Sequence, residues 1–190
     1  GGLVYWVERL WRTGDRNAVT GALTSSSEYR RTLVRAAYLT YLERDADPAG
    51  LSYWMGKLAS GTPVETMEAN LLGSNEAFNL AGATNAGFVE DAFQKVLERP
   101  ADPSGLAYWT AKLDAGTTRT GMAITLIRSG ESARLRVEAI YQQLLDRSAD
   151  PQGLTYWSTK LTSGTSRVTV IRSIIASDEY FFGAEDHLAG

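Results

Sequence analysis

Apolar residues recur at helical spacing along much of the chain. Leu51, Trp54, Met55 and Leu58 follow the i, i+3, i+4, i+7 order that places side chains on one face of an α-helix. The same order recurs in two later segments, at Leu106, Trp109 and Leu113 and at Leu154, Trp157 and Leu161. No segment shows the sustained alternation of apolar and polar residues that is typical of a strand. The pattern therefore predicts an all-α chain.

Longer helices are predicted before these segments, at residues 31–43, 88–98 and 137–146. Each ends in an acidic residue followed by an arginine, at Arg44, Arg99 and Arg147. The last carbonyl groups of a helix lack a partner within the helix, so we expect these arginines to bind them.

The sequence Asp-Pro-x-Gly-Leu opens each amphipathic segment and predicts a helix start. Aspartate is a favoured N-cap, and proline suits the first helical position, where its missing N–H group costs no hydrogen bond. The residues that we assign to this structural motif are Asp47, Gly50 and Trp54, then Asp102, Gly105 and Trp109, and finally Asp150, Gly153 and Trp157.

This motif is part of an internal repeat. Its tryptophans and Trp6, which lies in a first copy without Asp-Pro, are spaced by 48, 55 and 48 residues. We predict four related helical units of ~48 residues grouped as two pairs, at 1–80 and 88–190, joined by a linker at 81–87. Because the first unit begins within the motif, we expect it to be truncated at its N-terminus, as in a fragment of a longer array.

Composition excludes several kinds of site. The chain of 190 residues has a net charge of −3, so bulk attraction to nucleic acid is not expected. There is no cysteine, which excludes disulfides, thiol catalysis and cysteine-ligated metals. No apolar run approaches the length of a transmembrane segment.

We do not expect an enzyme. The single histidine, His187, lies three residues before the last residue, and we expect a terminal residue without a catalytic role. The glycine motifs that bind phosphates or dinucleotides are absent. A hydrolase with paired carboxylates stays an alternative, because it requires only two Asp or Glu residues, although small helical units argue against the cleft it would need.

Calcium is a weaker candidate ligand, and no other cofactor is expected. Asp45 and Asp47 match the first half of an EF-hand loop, but Gly56 stands where a bidentate glutamate is required. Helix capping explains Asp47 without a metal.

The candidate ligand-binding residues are a tyrosine and a lysine on each amphipathic segment, away from its apolar stripe. They are Tyr53 and Lys57, Tyr108 and Lys112, and Tyr156 and Lys160. In one interpretation, the nearby glycine admits a neighbouring helix, and the tyrosine and lysine line that helix contact. In the other, each unit presents a polar aromatic patch to a glycan or a protein partner.

The repeated residues resemble a known family. The string from Leu145 to Trp157, the Lys-Leu and Gly-Thr that follow it, and the final Ser-Asp-Glu-Tyr-Phe are similar to the bacterial domain-of-unknown-function family 4214. The resemblance covers almost the whole chain. It implies an all-helical module of large secreted or surface proteins, such as surface-layer proteins, adhesins and exoproteins, and it implies no agreed activity.

The sequence and the resemblance together favour a non-catalytic structural, adhesion or interaction module of a larger extracellular bacterial protein. The expected partners are other domains of that protein or polymers of the cell surface. A carbohydrate-binding module of a secreted protein is the alternative, with glycans as the ligand.

Overall fold

The computed structural model describes residues 14–180, which form eleven α-helices and no strand. The helices are α1 (Arg16–Thr24), α2 (Ser27–Leu42), α3 (Pro48–Ala59), α4 (Val64–Leu72), α5 (Asn75–Leu80), α6 (Asn85–Leu97), α7 (Pro103–Asp114), α8 (Arg119–Ile127), α9 (Gly130–Leu145), α10 (Pro151–Thr162) and α11 (Arg167–Ile175). The expected all-α class is confirmed. None of these helices is long and apolar enough to cross a lipid bilayer.

Each complete unit contains the same three helices. A long helix (α2, α6 or α9) is followed by an Asp-Pro helix (α3, α7 or α10) and then by a third helix (α4, α8 or α11). The long helix packs on both of the others in every unit. Of the first unit, the structure describes one helix, α1, which corresponds to the third helices of the later units.

Third helices also pair between units. The third helix of unit two, α4, packs on α8 of unit three, and α11 of unit four packs on α1 of unit one. The first and last described helices therefore meet. Contacts between units thus join neighbours in the chain, through α4 and α8, and also its first and last described helices.

The long helices begin earlier than predicted. Ser26 and Ser129 are the N-caps of α2 and α9, and each accepts a hydrogen bond from the backbone N–H three residues later. The Ser-x-Glu sequence thus starts the next long helix in these two places. In unit two, the seven extra residues interrupt this helix, so Ser74 caps the short α5 and a separate α6 begins at Asn85.

The predicted linker at 81–87 is therefore too long, since its last three residues belong to α6. The main buried cluster continues across it. Met67 and Leu72 on α4, Phe88 on α6 and Met122 on α8 are all fully buried in that cluster. Burial of these large apolar side chains is the main stabilising contribution to the fold.

The Asp-Pro helices form an outer layer. α3 has no fully buried residue, and its tryptophan, Trp54, is half-buried against the main cluster. Trp109 and Trp157 lie in the same way against their own units. One face of each Asp-Pro helix is therefore free for other contacts.

Candidate functional site

Each Asp-Pro helix begins at a capped turn. The Asp47 carboxylate accepts a hydrogen bond of 2.9 Å from the Gly50 N–H, and Pro48 is the first helical residue. Asp102 and Asp150 repeat this geometry with Gly105 and Gly153, at 2.9 and 2.8 Å. These turns orient the helix and place the preceding arginine beside the aspartate.

The arginine of each turn forms a clamp with the glutamate of the Ser-x-Glu sequence that follows the third helix of its unit. Arg44 binds Glu76 through two nitrogen atoms, of which Nη2 lies 2.9 Å from Oε2. The same bidentate pair joins Arg99 to Glu131 and Arg147 to Glu179, with corresponding distances of 3.0 and 2.9 Å. Each pair spans 32 residues, from the end of the long helix to the Ser-x-Glu sequence.

We expected these arginines to bind the carbonyl groups at the helix end. That expectation was wrong, because the main partner of each arginine is a glutamate carboxylate. Arg44 does donate to a backbone carbonyl, but to that of Asp45 in the turn that follows the helix. Its guanidinium group also lies 5.2 Å from the centre of the Tyr38 ring. A planar guanidinium matches a carboxylate with two parallel hydrogen bonds, which a carbonyl group cannot offer.

The clamps lower the pKa values of their carboxyl groups. Hydrogen bonds from the arginines hold the pKa values of Glu76, Glu131 and Glu179 below the ordinary 4.5. The Gly50 N–H does the same for the pKa of Asp47, whose ordinary value is 3.8. Depressed values of this kind mean that the folded state favours the ionised carboxylates.

We therefore expect stability to fall in acid. A carboxyl group with a depressed pKa contributes its full stabilisation above the unfolded value of 4.5 and loses it as the pH falls through the lower folded value. The urea midpoint should stay level from neutral pH to about pH 5.5 and then decline steeply towards pH 3. Unfolding curves across this range test the expectation.

A matched variant separates the clamps from other acidic groups. Replacing Arg44, Arg99 and Arg147 with glutamine removes the charge that depresses the glutamate pKa values, so the decline should become shallower. An unchanged profile in this variant would assign the acid sensitivity to other carboxylates.

The candidate calcium residues have protein partners. Asp45 accepts a hydrogen bond of 3.0 Å from Arg35, and Asp47 caps α3 and faces Arg44. Among residues 14–180, no three acidic or histidine side chains are grouped so that they could hold a metal ion.

The three tyrosines of the Asp-Pro helices lie on the surface. More than half of each side chain is exposed, with values of 56% for Tyr53 and 55% for Tyr108 and Tyr156. The interpretation in which they line a contact between helices is therefore wrong for these tyrosines. The related expectation for glycine is correct, because the Tyr38 ring of the long helix packs directly on Gly50.

Each tyrosine is held between two neighbours, and we call this arrangement an aromatic pad. The Tyr53 ring meets Trp54 edge to face, with ring centres 5.1 Å apart, and the Lys57 ammonium group lies 5.5 Å from the Tyr53 ring centre. The pads of Tyr108, Trp109 and Lys112 and of Tyr156, Trp157 and Lys160 have the same geometry. All six candidate ligand-binding residues thus belong to three equivalent pads.

A largely buried ionic network between helices of different units had no counterpart in the sequence predictions. Glu68 on α4 lies 2.6 Å from Arg136 on α9 and 3.3 Å from Arg167 on α11. Its side chain is 6% exposed. Nearby, burial raises the pKa of Tyr41. The signal in the sequence was a glutamate between the apolar residues Met67 and Ala69 on a predicted helix face.

The carboxyl groups with shifted pKa values do not have the character of general acids. One groove beside this network has a volume of about 400 Å³, and Glu65 is its one acidic lining residue. Every described carboxyl group with a resolved shift has a lowered pKa, whereas a general acid needs a raised one. His187 and Trp6 lie outside the described residues.

Comparison with known proteins identified a domain family. No curated protein and no solved structure matched the chain. The family described as Domain of unknown function (DUF4214) matches three overlapping segments, residues 30–80, 68–136 and 134–182. Each matched segment contains one arginine–glutamate clamp and one aromatic pad. The matches cover most of the 190 residues, and the chain therefore belongs to the DUF4214 family.

Proposed function

We propose that the chain is a non-catalytic interaction module of a larger extracellular bacterial protein, and that it binds its partner through the aromatic pads. The observation that carries the proposal is the presence of three equivalent, exposed Tyr–Trp–Lys arrangements on one class of helix. The extracellular bacterial setting rests on the family resemblance of the repeated motif.

The geometry of the pads favours recognition. A tyrosine offers a large contact area and loses little conformational entropy on binding when its ring is already held. Here the neighbouring tryptophan and lysine hold the ring before any partner arrives. The exposed tyrosine recurs at the same position of three units, and this recurrence supports a surface that contacts another molecule.

Charge suggests the character of the partner. Each pad places a lysine ammonium group beside an aromatic ring and a phenolic hydroxyl group. This combination suits a surface that carries carboxylate groups and hydroxyl groups, as on an acidic protein or an acidic polymer. Three pads on one chain would also strengthen weak individual contacts through multivalency.

A carbohydrate-binding module is the second candidate. The same exposed rings could stack on sugar rings, which present an apolar C–H face, while the lysines bind acidic or hydroxyl groups of the glycan. The specific observation in its favour is that each tyrosine retains more than half of its surface. Calcium is not needed in either proposal.

A glycan array probed with the purified chain, with calcium and again with a chelator, separates these two candidates. Specific binding to a glycan would favour the carbohydrate module. If the chelator abolished that binding, calcium would be required for it. A blank array from a well-folded chain would favour a protein partner or a spacer role within the parent protein.

The pads themselves are tested by replacing Tyr53, Tyr108 and Tyr156 with alanine. We expect each replacement to change the free energy of unfolding by less than about 1 kcal/mol, because the ring is exposed, and the triple variant to lose binding. A control in which the exposed residues Leu39 and Leu80 become alanine should bind normally. Full binding by the triple tyrosine variant would contradict the proposal.

A further inference from the structure

A groove lies between the two long helices α2 and α9, which do not pack closely on each other. α11 also lines this groove, which we call the α2–α9 groove, and its volume is about 370 Å³. That volume is within the usual range of small-molecule pockets. A stable protein interface, in contrast, buries about 800 Å² of surface on each partner. The α2–α9 groove therefore suits a small ligand better than a protein surface.

Much of the groove wall is apolar. Its side chains include Leu33 of α2, Ile140 and Leu144 of α9, and Ile171 and Ile175 of α11. An alkyl group that lies against such a wall is stabilised in proportion to the apolar area that it removes from water. The wall therefore favours a ligand with a hydrocarbon part.

Two arginines give the groove a positive charge. Arg136 and Arg167 both line it, and none of its lining residues is acidic. Among the ion pairs of residues 14–180, Arg167 has one, with Glu68 at 3.3 Å, and Glu68 also binds Arg136 at 2.6 Å. Arg136 lies 3.9 Å from Glu65, which does not line this groove. An anionic group in the groove would therefore be complementary to its wall, and Arg167 is the better placed arginine to bind it.

Tyr29 adds a hydroxyl group to the same wall. Burial raises the pKa of this hydroxyl group, and the positive charge of the nearby Arg167 acts in the opposite direction. The hydroxyl group is therefore protonated at neutral pH and can donate a hydrogen bond. A guanidinium group and a hydroxyl donor close together suit a carboxylate, which accepts two parallel hydrogen bonds from an arginine.

The two arginines lie where the groove changes character. A second cavity of about 230 Å³ continues from it and shares Arg136 and Arg167 as lining residues. This continuation is more polar, since Thr40, Lys95 and Glu98 also line it. An amphiphilic molecule could thus place its charged end at the arginines and its hydrocarbon end along the apolar wall.

We propose that the α2–α9 groove binds a medium-chain alkyl carboxylate. The carboxylate pairs with Arg167 and accepts a hydrogen bond from Tyr29, while the alkyl chain lies along Ile140 and Ile171. This inference is independent of the proposed function, because no residue of an aromatic pad lines the groove.

Isothermal titration calorimetry with four ligands separates the two parts of this recognition. We expect decanoate, below the concentration at which it forms micelles, to bind saturably with one molecule per chain. Octanoate should bind about tenfold more weakly, because it buries two fewer methylene groups. Acetate should show no detectable binding. Decanol has the alkyl chain without the charge and should bind at least about tenfold more weakly than decanoate.

Two variants test the residues of the groove. Arg167→Gln should weaken decanoate binding at least about tenfold and leave decanol binding unchanged, a difference that a general loss of structure would not produce. Ala139→Leu places a larger side chain in the groove, at an exposed position, and should weaken the binding of both ligands. Ala107→Leu is the matched control, since Ala107 is also exposed but lies on α7, away from the groove, and it should bind decanoate normally.

Absence of binding by the folded chain at millimolar decanoate would overturn the proposal and leave the groove to an apolar side chain of a protein partner. Decanoate binding that survives both Arg167→Gln and Ala139→Leu would overturn it too, as would equal affinities for decanol and decanoate. The variant in which Tyr53, Tyr108 and Tyr156 become alanine should bind decanoate as the original chain does. Failure of the groove can therefore be distinguished from failure of the aromatic pads.

Discussion

Replacing Glu68 with glutamine should lower the free energy of unfolding by about 3 kcal/mol, because it leaves Arg167 without its Glu68 partner and Arg136 with only Glu65, at 3.9 Å. Glu68 binds two arginines, Arg136 at 2.6 Å and Arg167 at 3.3 Å, so the replacement weakens two ion pairs at once. The Arg136 side chain is only 15% exposed, so water cannot fully replace the lost carboxylate. Urea unfolding of the two proteins at pH 7 measures the difference.

The matched control is an exposed pair of the same chemical type. Arg35 and Asp45 lie 3.0 Å apart with 55% and 65% of their side chains exposed. Asp45→Asn should therefore cost less than about 1 kcal/mol, as is usual for surface ion pairs. Similar losses in the two variants would show that the Glu68 network is effectively solvated.

The network also connects units that are distant in sequence. Glu68 lies on α4 of unit two, whereas Arg136 on α9 and Arg167 on α11 both belong to unit four. Apolar contacts alone would tolerate small sliding movements between these helices. We expect that a charged group that must meet two partners restricts these helices to one arrangement.

The second large effect is expected at Gly50. A Cβ atom on this residue would overlap the Tyr38 hydroxyl group, and Tyr38 is buried and cannot move freely. Gly50→Ala should therefore destabilise the protein by about 1–3 kcal/mol through overpacking. Thermal and urea unfolding would both detect a loss of this size.

The same helix provides the opposite control. Gly56 also lies within α3, but nothing surrounds the position of its Cβ atom. Gly56→Ala should stabilise the protein by about 0.5–1 kcal/mol, because alanine is the better helix former. Equal destabilisation by both variants would mean that the loss at Gly50 is a general effect of replacing glycine in α3 and does not come from the Tyr38 contact.

Removal of the Tyr38 hydroxyl group provides a further test of its overlap with a Cβ atom at residue 50. Unit three has Phe93 in the position of Tyr38, and there a Cβ atom on Gly105 would lie 3.3 Å from the ring. Tyr38→Phe combined with Gly50→Ala should therefore recover part of the loss. Gly153→Ala should resemble Gly50→Ala, since its Cβ atom would lie 2.5 Å from the Tyr141 hydroxyl oxygen.

Sequence reasoning was most successful where the interactions are local. An aspartate caps the helix three residues ahead of the amide that it binds, and proline restricts its own backbone angle, so Asp47 and Pro48 identify a helix start without knowledge of the fold. The helical spacing of Leu51, Trp54 and Leu58 likewise follows from the geometry of a single helix. The helix class, the repeat and the family could therefore be predicted from the sequence.

The exposure of the three tyrosines could not be predicted from the sequence. Tyr53 lies beside an apolar stripe, and sequence alone allows it either to meet a neighbouring helix or to face solvent. The choice depends on where that neighbour lies, and the neighbour packs on the side of Gly50 and Trp54. The aromatic pad is thus a local arrangement whose accessibility is set by tertiary packing.

Contacts between distant residues were decided by the tertiary structure alone. The sequence shows that Arg44 and Glu76 recur at a constant spacing, but only the fold brings their side chains together. It also pairs α1 with α11 and gathers Glu68, Arg136 and Arg167 into one buried network. Local preferences determine single helices, whereas their pairing depends on which arrangement buries the apolar faces while keeping buried charges paired.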